Sequence, residues 1–194
     1  MLLIPILIVL GVILVWFIGT YNFFVTAKAR IKASVQEIGN QLKRQADLIP
    51  NLESSAKGYL KHEKGIFGDL TEARKAISSA VKSGNLQKMV DAGSKLASLL
   101  PNIQVAVEDN PEIKGSEVVA KLMDELRDTS DKVMYARRIV IDLTADYNVK
   151  RVTIPSSIVA GIFKFDELPG LITPQEGEHM SVSGSETKSH KVSL

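Results

Sequence analysis

Residues 1–27 carry no charged side chain, and Leu2 to Ile18 is an almost unbroken apolar run. An α-helix rises about 1.5 Å per residue, so about 20 such residues cross the roughly 30 Å hydrocarbon core of a bilayer. Pro5 and Gly11 are compatible with that reading, because both are tolerated in membrane helices. Trp16 and Tyr21 stand where aromatic side chains meet the headgroups, and they are assigned to the membrane interface. A cleaved signal peptide fits less well: the stretch before the apolar run has no positive charge, and Val25-Thr26-Ala27 only loosely matches a cleavage site. Lys28, Arg30 and Lys32 follow at once, all on the C-terminal side. The positive-inside rule therefore places the N-terminus outside and the bulk of the chain in the cytoplasm.

Beyond the charge-free run the chain keeps helical spacing, with Ile31, Val35, Ile38 and Leu42 at intervals of four, three and four. Residues 1 to about 46 are thus expected to form one rod. Pro50 should stop it, with Asp47 as N-cap and Pro50 in the first turn of a second helix. That helix carries Leu52, Ala56, Tyr59, Ile66, Leu70, Ala73 and Ile77 and ends at Ser83-Gly84, with Asn85 capping the next. A third helix is predicted from Leu86 to about Val107, kinked or divided at Pro101. A fourth follows the stripe Val118, Leu122, Leu126, Thr129, Val133, Ala136, Val140, Leu143 and Tyr147. The predicted fold is all-α: an N-terminal transmembrane helix continuing into an antiparallel four-helix-type bundle, then a disordered C-terminal tail. The boundaries are 1–22 for the anchor, 23–167 for the bundle and 168–194 for the tail, and the bundle core is expected to lie wholly beyond residue 27. Counting lengths brings the end of helix four back to the membrane. There the apolar segment Ile154 to Phe165 either caps the bundle or inserts as a second foot, with Ile162 and Phe163 at the interface.

Chemistry-bearing patterns are few. The chain has no cysteine, which removes disulfides, thiolate metal sites and cysteine nucleophiles. A net charge of +2 and sparse aromatics argue against nucleic acid as a partner. His62-Glu63 begins like a zinc-protease helix, but the position four residues after His62 is Ile66, so no metal or cofactor is assigned. Glu63 falls in the apolar stripe of helix two, as a boundary carboxylate with a basic partner. Lys43 and Arg44 beside Asp47 read as end-of-helix charge complementing the dipole, or as a docking spot for an acidic partner, and Lys43, Arg44, Asp47, Pro50 and Glu63 are the candidate interaction residues. Asp142 and Asp146 share a helix face beside Tyr147, and solvated placement is the plainer meaning. The enzymatic alternative is a hydrolase or its regulatory subunit working through Glu63 and Asp142.

Several runs occur in a characteristic order. They are Gly19-Thr20-Tyr21-Asn22, the twelve residues from Gln41 to Leu52, Lys57-Gly58-Tyr59-Leu60-Lys61-His62-Glu63, Thr71-Glu72-Ala73-Arg74, Ala136-Arg137-Arg138, Asp146-Tyr147-Asn148 and Ile158-Val159-Ala160-Gly161-Ile162-Phe163. Together they resemble the LemA family across roughly residues 1 to 167. The chain departs from the family's pattern at Val140-Ile141, where a second Tyr-Asn pair is usual, and at Ile154-Pro155, where Phe-Pro is usual. It also lacks the usual tryptophan near residue 34. The resemblance implies an N-terminally anchored, cytoplasm-facing bundle in the bacterial cytoplasmic membrane, with no established enzymatic activity. Some members take part in forming magnetosome membranes, which implies scaffolding or membrane shaping. The expected function is accordingly a non-catalytic scaffold, self-associating on the lipid bilayer and holding a protein partner.

Overall fold

A computed structural model describes residues 3–56, 64–110 and 116–172 of the chain. Among them are five helices and no strand: α1 Leu3–Ala56, α2 Lys64–Ser83, α3 Leu86–Glu108, α4 Glu117–Val152 and the short α5 Ser156–Ile162. Local signals set most ends. Gly84 adopts φ +64°, which glycine accepts without a Cβ penalty, and its N–H donates to Val81 O at 3.2 Å. Asn85 caps α3 by accepting from Lys88 N at 3.0 Å, and Ser116 caps α4 by accepting from Val119 N.

α1 to α4 form a closed ring in which each helix touches the next, and α4 closes back along α1. The α1–α4 pair is antiparallel, since Phe24 meets Tyr147 while Gln45 meets Ser130. The main core joins Ile38, Leu42, Ile49 and Leu52 of α1 to Leu70, Ala73 and Ile77 of α2, Val90 and Leu96 of α3, and Val119, Leu126, Val133 and Val140 of α4. Gly93 permits the close approach of three helices. A Cβ there would lie 3.0 Å from Leu42 Cδ2 and 3.3 Å from Val133 Cγ1. One polar pair crosses this core: Gln45, fully buried, donates from Nε2 to Ser130 Oγ at 2.9 Å.

Three expectations change. First, α1 does not end at Asp47 but runs 54 residues through Pro50 to Ala56. Pro50 has no N–H to give to the preceding turn. However, the turns around it bury Leu48, Ile49, Leu52 and Ala56, and full burial of a large aliphatic side chain contributes about 1.5–3 kcal/mol. That burial exceeds the proline penalty of about 3 kcal/mol. Asp47 is therefore an exposed mid-helix residue, and Lys43 and Arg44 lie about three turns short of the helix end, too far to complement its dipole. Second, of the two readings at Pro101, division does not occur: α3 continues through it as one helix. Third, the start of the α4 stripe is displaced by one residue: Val119 is buried and Val118 is 59% exposed. The stripe steps back from Leu126 through Met123 rather than Leu122, which is only partly buried. Glu63 and the chain beyond Ile172 lie outside the described residues.

Candidate functional site

The first turns of α1 are unlike the rest. From Leu3 to Val15 its large apolar side chains are more than half exposed. This is the one helix among the described residues long and apolar enough to cross a membrane. Leu3 to Tyr21 measures about 28 Å along the axis, close to a hydrocarbon core. Burial then begins abruptly at Thr20, Phe24 and Ala27. The bundle thus reaches back into the charge-free run, against the expectation that its core starts after residue 27.

Where the bare part of α1 enters the bundle, aromatic rings form a collar. Phe24 stacks on Phe165 with centroids 4.8 Å apart and meets Tyr147 edge-on at 5.3 Å. Phe163 lies 4.6 Å from Tyr21 and 5.8 Å from Phe17. Such pairs add about 0.5–1.5 kcal/mol each beyond their buried area. Lys150 on α4 sits 4.0 Å over the Phe23 ring. Of the two readings of Ile154 to Phe165, the bundle cap is present in Ala160 and Phe165, which close a second core with Phe24, Ala27 and Tyr147, and Val159 is fully buried.

The collar is held by a strap, residues 164–172. α5 ends in a Schellman turn: Phe165 N–H donates to Ala160 O at 2.9 Å and Lys164 N–H to Gly161 O at 3.3 Å, with Lys164 in the left-handed region at φ 52°. Tyr147 then donates its hydroxyl to Asp166 O at 3.1 Å. Asn148 exchanges two hydrogen bonds with the Leu168 backbone, at 2.8 and 3.0 Å. Arg151 pairs with Glu167 at 3.0 Å, and Gln87 makes the last two bonds, to Ile172. Leu168 to Ile172, expected in the tail, are therefore fastened to the bundle.

Burial pushes the Tyr147 phenol above its usual range; Arg151 opposes the shift and Asp166 adds to it. In the unfolded chain the phenol titrates near 10.0, so above that pH the unfolded state releases its proton first. Stability is thus full below about pH 10 and falls as pH rises towards the native titration. Tyr147→Phe is expected to lose about 1 kcal/mol at neutral pH, for the bond to Asp166 O, and to flatten the alkaline limb of a melting-temperature profile. An unchanged alkaline limb would show that another group controls it.

Of the candidate interaction residues, Glu63 lies outside the described residues, and Lys43, Arg44, Asp47 and Pro50 lie on neighbouring turns of α1. Arg44 pairs across the bundle with Glu125 at 3.0 Å, both side chains about half exposed, and Lys43 faces solvent. Such exposed pairs contribute little to stability. Pro50 is partly buried among core neighbours. Asp142 and Asp146 face solvent, with Asp142 3.8 Å from Arg138 on its own helix, whereas Tyr147 turns into the second core. No group of metal-ligating side chains occurs among the described residues. Far from the collar, Leu100, Pro101, Val105, Met123 and Met134 line an open groove of about 570 Å³ between α3 and α4.

The fold and the collar define a class: a four-helix bundle built on one over-long helix whose free end is apolar all round. Residues 34–183 match the family model of the LemA family. The chain belongs to the LemA family. No curated protein matches it.

Proposed function

We propose that this protein is a single-pass, membrane-anchored scaffold without catalytic activity. Residues 3 to about 21 span the bacterial cytoplasmic membrane, with Trp16 and Tyr21 at the interface and the N-terminus outside. The bundle stands in the cytoplasm, as Lys28, Arg30 and Lys32 direct. The observation that carries this reading is the continuity of α1, 54 residues without a break, exposed at one end and core at the other. A partner seated on the bundle is then held at a fixed height and angle above the bilayer. The α3–α4 groove, level with the Gln45–Ser130 pair, lies about 36 Å beyond Tyr21 and offers an apolar, methionine-bearing surface to a protein partner or a second copy.

The absence of cysteine makes the topology directly testable. A cysteine placed ahead of Met1, outside the proposed span, and Tyr135→Cys, at an exposed residue of the bundle, report its two sides. An impermeant maleimide applied to intact cells is expected to label the N-terminal cysteine and to reach position 135 only after lysis. Labelling of position 135 in intact cells would reverse the orientation. Alanine at Glu63 and Asp142, the carboxylates of the hydrolase alternative, is expected to leave the membrane phenotype of a folded scaffold intact.

A further inference from the structure

The short helix α5 is patterned inside out. Its inward face is small, with Ser156, Val159 and Ala160 buried, whereas Ile158 and Ile162, one turn apart, are 58% and 60% exposed. Phe163, directly after them, is 45% exposed, and Ile154 just before the helix is 82% exposed. A short helix in water ordinarily turns its largest apolar side chains to the core. Here four lie outside together, and an exposed apolar patch marks a contact surface. What covers this one follows from its position. The Phe163 ring is 5.8 Å from Phe17 and 4.6 Å from Tyr21, on the last turns of the bare segment of α1, so the patch continues the apolar surface of the anchor.

A second observation concerns the residue that ends the patch. Lys164 holds the C′ position of the Schellman turn with φ 52°, where glycine fits without strain and a lysine does not. The left-handed turn gives the chain its bend from Phe163 back to Phe165, and it leaves the exposed Lys164 beside the exposed ring. A long cationic side chain beside an apolar patch is how a protein reaches lipid phosphates while its stem stays in the interface. Of the two acidic residues that follow it, Glu167 is paired with Arg151, and Asp166 is exposed.

We propose that Ile154 to Lys164 is a second membrane contact. Ile158, Ile162 and Phe163 enter the bilayer interface beside the anchor, and Lys164 meets the phosphates of anionic lipid headgroups. The bundle therefore touches the membrane at two points and is fixed in tilt as well as height. This inference rests on the anchoring of α1 proposed above, and the test separates the two.

Trp16 is the single tryptophan, so the full chain carries its own depth reference. In vesicles of phosphatidylglycerol and phosphatidylcholine brominated high on the acyl chain, wild-type Trp16 is expected to be quenched. In a Trp16→Phe background, Phe163→Trp is expected to be quenched to a comparable degree. Ile158→Trp, on the outer face of α5, repeats the measurement with the collar rings undisturbed. Quenching of Trp16 with both new tryptophans dark would overturn the second contact and leave the anchor standing; a dark Trp16 would overturn both. Lys164→Gly then isolates the cation. A purely structural residue would give a higher melting temperature and unchanged quenching. The headgroup role predicts that replacing phosphatidylglycerol by phosphatidylcholine shifts the docked-to-free ratio on the order of fivefold with Lys164 or Lys164→Arg, and not with Lys164→Gly. An equal response in all three would remove Lys164 from the contact.

Discussion

Val133→Asp is expected to abolish cooperative folding of the bundle, whereas Lys132→Asp next to it leaves the thermal melt almost unchanged. Val133 is 5% exposed and belongs to the main core, within reach of any side chain placed at position 93. An aspartate there loses water and gains no cationic partner, at a cost of several kcal/mol. Whole domains have only about 5–15 kcal/mol in total. Lys132 is exposed and bonded to Asp128 at 2.6 Å, one turn earlier on the same helix. Losing that pair removes about 0.3–0.5 kcal/mol, and the new like-charge contact adds a similar amount. Circular dichroism melts in detergent compare the two directly. Equal melting curves would mean that the α4 register is wrong.

The second large effect is expected at Phe24. It is fully buried, stacked on Phe165 and edge-on to Tyr147, yet it lies inside the charge-free run. Phe24→Ala removes the ring that both partners share, and such cavities typically cost about 3–5 kcal/mol. Two deletions make the same point differently. Removing residues 1–18 leaves Thr20, Phe24 and Ala27 in place and should preserve a cooperative, strongly helical bundle. Removing residues 1–27 takes Phe24 and Ala27 with the anchor, and the melt is expected to fall steeply. If the two deletions melt alike, the second core contributes nothing and the bundle begins after residue 27.

Phe24 also shows where sequence reasoning succeeds and fails. The helices, the Gly84–Asn85 turn and the α4 stripe from Leu126 onward were legible, because each depends on local chemistry or on periodicity. The stripe that Ile31, Val35, Ile38 and Leu42 continue in fact starts at Thr20, Phe24 and Ala27, with the same spacing of three and four. It was hidden because every neighbour in that stretch is apolar too, so contrast between faces vanishes. Pro50 misled for the opposite reason: a strong local signal was overridden by burial on a helix whose neighbours are distant in sequence. The α4 displacement at Val118 has a similar origin, since two adjacent valines offer either register and only packing against other helices chooses. Of the collar, the apolar segment that carries Phe163 and Phe165 is legible in the sequence, but the packing of those rings on Phe17, Tyr21 and Phe24 and the strap are not. They are held by Asn148 and Gln87, whose pairing with main-chain groups 20 and 85 residues away leaves no pattern in the sequence. The Gln45–Ser130 pair was missed likewise.

The unbroken α1 also makes the molecule a torsion shaft. Adjacent residues on a helix are about 100° apart, so the face that the apolar end of α1 presents sets, without slack, the face that the bundle presents. Inserting one residue between Ile18 and Thr20 would raise the bundle by only about 1.5 Å but swing the α3–α4 groove through more than a quarter of a circle. A meeting of two anchors in the proposed bilayer setting thereby selects which sides of two bundles confront each other. Azimuth, rather than distance, is the quantity this architecture transmits.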